Sequence, residues 1–153
     1  KAKQMVTEAQ QEIRMLSATI KPPQFSLMTL QQSIEKLIAD ISRVKNISIQ
    51  LTAAEFNESE LKDEQLLIIY RIVQEQLNNI LKYAEAKQID ISIQTTNDQV
   101  NVSINDDGKG FDISSGKKGN GLINMQNRAK ELGGKTEIIS SEKGTTVLCV
   151  LPV

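Results

Sequence analysis

Two runs in the middle of the chain alternate apolar and polar residues: Ile89, Ile91 and Ile93, then Val100, Val102 and Ile104. Successive side chains of an extended backbone point to opposite faces, so each run reads as a strand with one buried side. Thr96-Asn97-Asp98 supplies the turn between them. The second strand runs directly into Asn105-Asp106-Asp107-Gly108-Lys109-Gly110-Phe111-Asp112. Closely spaced glycines let the backbone turn sharply and approach another group. A carboxylate just ahead of them can accept hydrogen bonds from a flat donor edge. Taken alone, such a string is more often a turn that ends a strand. The residues around the hairpin decide between the two.

Upstream, about 63–84 has helical periodicity, with Leu66, Ile69, Val73, Leu77 and Ile80 on one side. Glu75, Asn79 and Lys82 fall together on the opposite side, at i, i+4 and i+7. A solvated face with a helical ion pair is the commoner origin of such a row. Gln74, Gln76 and Asn78 crowd the same helix, however, and Asn is a poor helix former. Before it, about 26–44 reads as a helix with Leu27, Leu30, Ile34, Leu37, Ile38 and Ile41 buried. Ile47, Ile49 and Leu51 form a half-buried strand, and Ser59 or Asp63 is placed to cap the helix that follows. Residues 2–20 carry a narrow apolar stripe (Met5, Val6, Ile13, Leu16, Ile20), a helix that Lys21-Pro22-Pro23 stops.

Downstream, Ile113 to Asn120 is Ser, Gly and Lys without periodicity, which predicts a basic loop. It leads into Gly119-Asn120-Gly121-Leu122 and an amphipathic helix of Leu122, Ile123, Met125, Ala129 and Leu132, closed by Gly133-Gly134. Glycines opening a helix leave its first N–H groups available to an anion; a plain helix start is the equal alternative. Thr136 to Ile139 reads as a strand. Gly144-Thr145 opens a near-continuous apolar strand, the pattern of a central one.

Composition removes several function classes. The formal net charge is −1 and the aromatic fraction 3%, with no Trp. That leaves no electrostatic footprint for nucleic acid and no stacking platform for bases. No apolar run is long enough to span a bilayer. Cys149, the one cysteine, sits in an apolar strand and reads as a small buried hydrophobe. The absence of histidine excludes the usual hydrolytic triads, His-containing zinc sites and any phosphohistidine within these residues. Competing motifs fail on spacing. Neither G-x-x-x-x-G-K-[ST] nor G-x-G-x-x-G occurs, and a calcium loop begun at Ser103 would end on Ser114 in place of Glu.

Four weak strings therefore stand in order: Glu75/Asn79/Lys82 on a helix, Asp106-x-Gly108-x-Gly110 at a strand end, Gly119-x-Gly121 at a helix start, and Gly144-Thr145. In that order they resemble the ATP-binding catalytic domain of sensor histidine kinases, within the gyrase, Hsp90, histidine kinase and MutL ATPase superfamily. Glu75 to Ala84 is similar to that family's N box, Asp106 to Gly110 to its first glycine box, and Gly119 to Leu122 to its second. The resemblance covers about Glu60 to Val153. Asn124-Met125, Arg128-Ala129 and Leu132-Gly133-Gly134 resemble the branch of nitrate-sensing and membrane-fluidity-sensing kinases. Tyr83 and Asn127 stand where that pattern often has His and Glu.

The resemblance implies an α+β fold, a two-layer α/β sandwich of the Bergerat type whose mixed sheet carries helices on one face. It implies residues 1–23 as the end of a dimerisation helix with its linker and 24–153 as the catalytic domain. It implies ATP and Mg2+ as cofactors: Asp106 on the adenine amine, with Thr145 near the same edge. Asn79 would give an oxygen to the metal, Lys82 would meet phosphate, and Glu75 would act as general base or orient the acceptor. Gly108 and Gly110 would permit close approach, and Gly119, Gly121 and Leu122 would cradle phosphate, with Tyr83 also lining the site. Residues 113–119 would form a lid over the nucleotide. The expected partners are a phosphoacceptor-histidine helix of the same kinase and a response regulator. The expected setting is a cytoplasmic domain of a homodimer, which leaves membrane anchoring of the whole protein open. The missing histidine implies a stretch that starts after the acceptor. An anti-sigma-factor-type serine kinase and a non-catalytic nucleotide-binding module are the alternatives.

Overall fold

The computed structural model describes residues 22–96, 98–115 and 119–153, with residues 2, 3, 5 and 6 near the N-terminus. The expected helix over 2–20 lies for the most part outside the described residues. Five strands form one sheet: β1 (Ser48–Thr52), β2 (Gln88–Thr96), β3 (Gln99–Asp106), β4 (Lys135–Ser141) and β5 (Gly144–Pro152). Their order is β1-β2-β3-β5-β4. Only β1 and β2 run parallel, so the sheet is mixed.

Alternation sets which face is covered. Ile89, Ile91 and Ile93 of β2, Val100, Val102 and Ile104 of β3, and Val147, Cys149 and Leu151 of β5 are buried on one side. The opposite side carries Asp90, Ser92, Asn101, Ser103, Asn105 and Thr146, as a solvent-facing sheet surface should. β5 is an interior strand, as its composition predicts, but it too alternates, because helices cover one face alone.

Three helices make the second layer: α1 (Leu30–Ser42), α2 (Asp63–Asn79) and α3 (Asn120–Glu131). α2 lies over β3 between α1 and α3, while α1 also meets β1 and α3 meets β4 and β5. This central position explains why α2 is buried over so wide an arc, with Leu66, Ile68, Ile69, Tyr70, Ile72, Val73 and Leu77 all enclosed. The result is a two-layer α/β sandwich.

Element ends depart from expectation for identifiable reasons. α1 starts at Leu30, because the Thr29 hydroxyl accepts from Gln32 N–H at 3.1 Å and the Gln32 amide oxygen accepts from Thr29 N–H at 3.0 Å. That capping box leaves Leu27, expected in the core, outside the helix and 81% exposed. α2 is capped at Lys62 and not by Ser59 or Asp63: Gln65 reaches back to accept from Lys62 N–H at 2.8 Å. The α-helix expected over 63–84 ends at Asn79 and continues as a π-helical turn, Ile80–Ala84, closed by Glu85 at φ 53°.

Candidate functional site

Three chain ends converge above the sheet: the C-terminal end of α2 with its π-helical turn, the end of β3, and the start of α3. They enclose a cleft of about 540 Å³. Asn79, Lys82, Tyr83, Asp106, Gly110, Gly119, Gly121, Leu122 and Thr145 line it. Two of the residues singled out in the sequence, Glu75 and Gly108, are set back from that lining.

Gly108 shapes the cleft from behind. A Cβ at this position would run into the Ala84 carbonyl, so only glycine lets the loop close against the π-helical turn. The Lys109 N–H then donates to Ala84 O at 2.9 Å. A π-helical turn widens the backbone and is common at functional positions. Here it presents the Ala84 carbonyl to the Asp106-Gly110 loop. Glu75 lies under α3. A Cβ on Gly121 would collide with Glu75 Oε1 and come within 3.4 Å of Asn79 Nδ2. The fold thus brings Glu75, Asn79 and the glycine at the start of α3 into one cluster.

Asp106 pairs in register with Thr145 on the covered face of the sheet and is 8% exposed. Its Oδ1 accepts from Gly108 N–H at 2.9 Å. Its Oδ2 is buried without a partner; among the described residues only one other buried side-chain oxygen, Gln76 Oε1, shares that state. Burial raises the Asp106 pKa above the usual carboxylate value, against the pull of the Gly108 and Thr145 N–H groups, and the Asp107 charge adds to the rise. Asp107, its neighbour, does the opposite job. Its exposed carboxylate accepts from Lys87 N–H at 2.8 Å and Gln88 N–H at 2.9 Å, clamping the start of β2. These bonds hold its pKa below the usual range.

The remaining walls are polar and partly anchored. Thr145 Oγ1 lies 2.7 Å from Ser140 Oγ, which accepts from Phe111 N–H at 2.9 Å and so ties the loop after Gly110 to β4. Lys109 Nζ pairs with Glu85 at 2.8 Å in solvent. α3 begins at Gly119 with no side chain capping it and no acidic residue in its first turn, and it has Arg128 and Lys130 in its last. Leu122 N–H turns back to Gly119 O at 3.1 Å; the N-terminal end as a whole carries the positive end of the helix dipole, suited to an anion. Residues 116–118 of the expected lid lie outside the described residues, while Ser115 reaches the cleft. Cys149 is buried, and burial pushes its thiol up, away from nucleophilic chemistry.

Sequence reasoning did not single out Gln76, Ile80, Ala84, Glu85, Lys109, Phe111 or Asp112 as cleft residues, though all line it. Gln76 carried the one usable signal, an amide on a helix already too rich in amides.

The model of the family described as histidine kinase-, DNA gyrase B- and HSP90-like ATPases matches residues 64–153. The chain belongs to this ATPase family. It is 32% identical over 145 residues to the sensor histidine kinase MctS of Rhizobium johnstonii, covering 92% of this chain and 31% of that protein. It is 30% identical over 151 residues to the sensor histidine kinase LiaS of Bacillus subtilis, covering 97% of this chain and 41% of that protein. The chain therefore spans less than half of either relative. Among solved structures, the histidine kinase domain of the Erythrobacter litoralis EL346 blue-light activated histidine kinase superposes with a TM-score of 0.68 at 20% identity, over 80% of this chain and 60% of that one. The fold is thus that of a histidine kinase ATP-binding domain. Among the described residues, no helix is long and apolar enough to cross a membrane.

Proposed function

We propose that this chain binds ATP with Mg2+ and donates the γ-phosphoryl group to a histidine on the dimerisation segment of a two-component sensor kinase. Family membership and the relatives' names support ATP and phosphoryl transfer. The observation in the cleft that carries the reading is Asp106, a buried carboxylate with one oxygen left for a ligand donor. The acceptor must come from elsewhere, since these 153 residues contain no histidine. A response regulator and a cytoplasmic setting follow as parts of the same proposal, as do the 1–23 and 24–153 boundaries.

In this reading Asp106 accepts from the 6-amine of adenine, with Thr145 beside it. The N–H groups at the start of α3, opened by Gly119 and Gly121 and followed by Leu122, meet phosphate oxygens. Lys82 adds positive charge. Tyr83 and Gly110 complete the walls, and Gly108 holds the loop closed. Glu75 orients the attacking imidazole or takes its proton. Phosphoryl transfer asks a protein mainly for positioning and charge neutralisation, which this set supplies.

The donor set suits Mg2+. Among the described residues no three acidic, His or Cys side chains converge as a metal cage. Mg2+ prefers few protein oxygens together with water and phosphate, and the Asn79 amide oxygen offers one within the cleft. The ion would neutralise phosphate charge there.

Calorimetric titration with a non-hydrolysable ATP analogue, with and without Mg2+, tests the reading. Saturable binding strengthened by Mg2+ is expected, and Asn79→Ala should abolish the strengthening while leaving Mg2+-free binding. A chain that takes no ATP analogue would sink the proposal, and magnesium dependence that persists in Asn79→Ala would remove Asn79 from the metal site.

A further inference from the structure

We propose that Gln76 is a second base-reading residue of this cleft, recognising adenine together with Asp106 and discriminating against 6-oxo purines; this rests on the ATP reading above. Beside Asn79, three further amides crowd the end of α2, and the structure separates them. Gln74 is buried, but its Oε1 accepts from Arg71 Nη1 at 2.7 Å. Asn78 is only half-buried. Gln76 is 3% exposed, lines the cleft, and leaves Oε1 buried without a partner. A buried amide oxygen with nothing to accept is rare and costly. Its neighbours one helical turn away, Ile72, Val73 and Ile80, are buried and apolar. An apolar residue would therefore suit the empty fold better than Gln does. The cost is recovered if a ligand brings the missing donor.

Two orphan acceptors, Gln76 Oε1 and Asp106 Oδ2, serve one cleft. The 6-amine of adenine has two N–H bonds, one for each oxygen, directly or through a water. The ring nitrogen next to that amine is an acceptor, and the Gln76 amide N–H is a donor. That is the complementarity by which a Gln side chain pairs with adenine. A 6-oxo purine reverses the pattern, turning an oxygen toward two acceptor oxygens.

The test measures ADP and inosine diphosphate (IDP) binding to the wild-type chain and to Gln76→Met, which keeps length but removes both polar atoms. ADP affinity should fall about tenfold, the usual scale for one hydrogen bond. IDP affinity should hold within about twofold, so that the ADP/IDP ratio shrinks. The ligand-free melting temperature should not drop, since an unsatisfied amide has been removed. If Gln76→Met fails to fold, Gln76→Ala is read by the same ratio. An unchanged ADP/IDP ratio in the folded variant, whether both affinities hold or both fall equally, overturns the role of Gln76 alone. A wild-type chain that binds neither nucleotide overturns the ATP reading itself.

Discussion

Asp106 sits where its charge is least welcome and its oxygen most useful. Burial favours the neutral carboxyl, so its folded pKa lies above the unfolded value. The stability it contributes to the ligand-free chain is full below the ordinary carboxylate range. That contribution is lost as pH rises through the raised pKa. Binding has the opposite sign, because the ionised carboxylate is the better acceptor for an amine. Asp106→Asn should weaken ATP binding about ten- to a hundredfold, the loss of a charge-assisted bond of about 1.5–3 kcal/mol. The wild-type chain should also lose affinity on acidification through a range that the variant does not share. Titration calorimetry of both proteins between weakly acidic and neutral pH checks this; parallel pH profiles would remove Asp106 from the adenine site. Asp107, identical in type and adjacent in sequence, should show neither effect, because its carboxylate is spent on the backbone of β2.

At the scale of elements, the cleft depends on one tight contact between the turn after α2 and the loop after β3. Gly108 makes that contact against the Ala84 main chain, which cannot move aside as a side chain could. Gly108→Ala should destabilise the protein by about 1–3 kcal/mol, the usual cost of overpacking. For a chain of this size that lowers the melting temperature by roughly 2–10 °C. Gly119, with nothing within 4 Å of a Cβ, is the control: Gly119→Ala meets no clash and should lose only the smaller cost of a poorer helix N-cap, under about 1 kcal/mol. Thermal denaturation followed by circular dichroism separates them, and equal melting of the two variants would refute the packing argument. The π-helical turn belongs to the same contact. Helical periodicity over 63–84 is correct about residue type but silent about this widening, because a local pattern does not register what the next strand's loop requires.

At the scale of the molecule, the site is held by a core it shares with everything else. Leu77, between Gln76 and Asn78 in the sequence, is fully buried in the core cluster between the helices and the sheet. Leu77→Ala should cost about 2–5 kcal/mol through lost transfer energy and the cavity left behind. Denaturant unfolding should show a lower midpoint with an unchanged slope, since a domain of this kind unfolds as one unit. Nucleotide at about a hundred times its dissociation constant should return about 2.7 kcal/mol. A midpoint that nucleotide does not raise would mean that the folded variant no longer binds it, so that the Leu77 cavity reaches the cleft.

The strands, the covered face of the sheet and the motif residues were legible in the sequence, because alternation and helical period report burial residue by residue. Ile89 to Ile104 gave the central hairpin, and the order of the four polar strings gave the family. Asp106, Asn79, Gly121 and Thr145 were named through the family resemblance which that order carries, since each string alone reads equally well as a turn, a solvated face or a helix start. Tertiary structure decided how the two neighbouring aspartates differ in burial and partners, where α2 stops being an α-helix, and that Leu27 lies outside the core. It also set Glu75 behind Gly121 and left Gln76 with an unpaired oxygen. The physical reason is the same throughout. A one-dimensional pattern records whether a residue prefers water or the interior. Whether a buried polar atom finds a partner depends on what the fold brings against it from far along the chain.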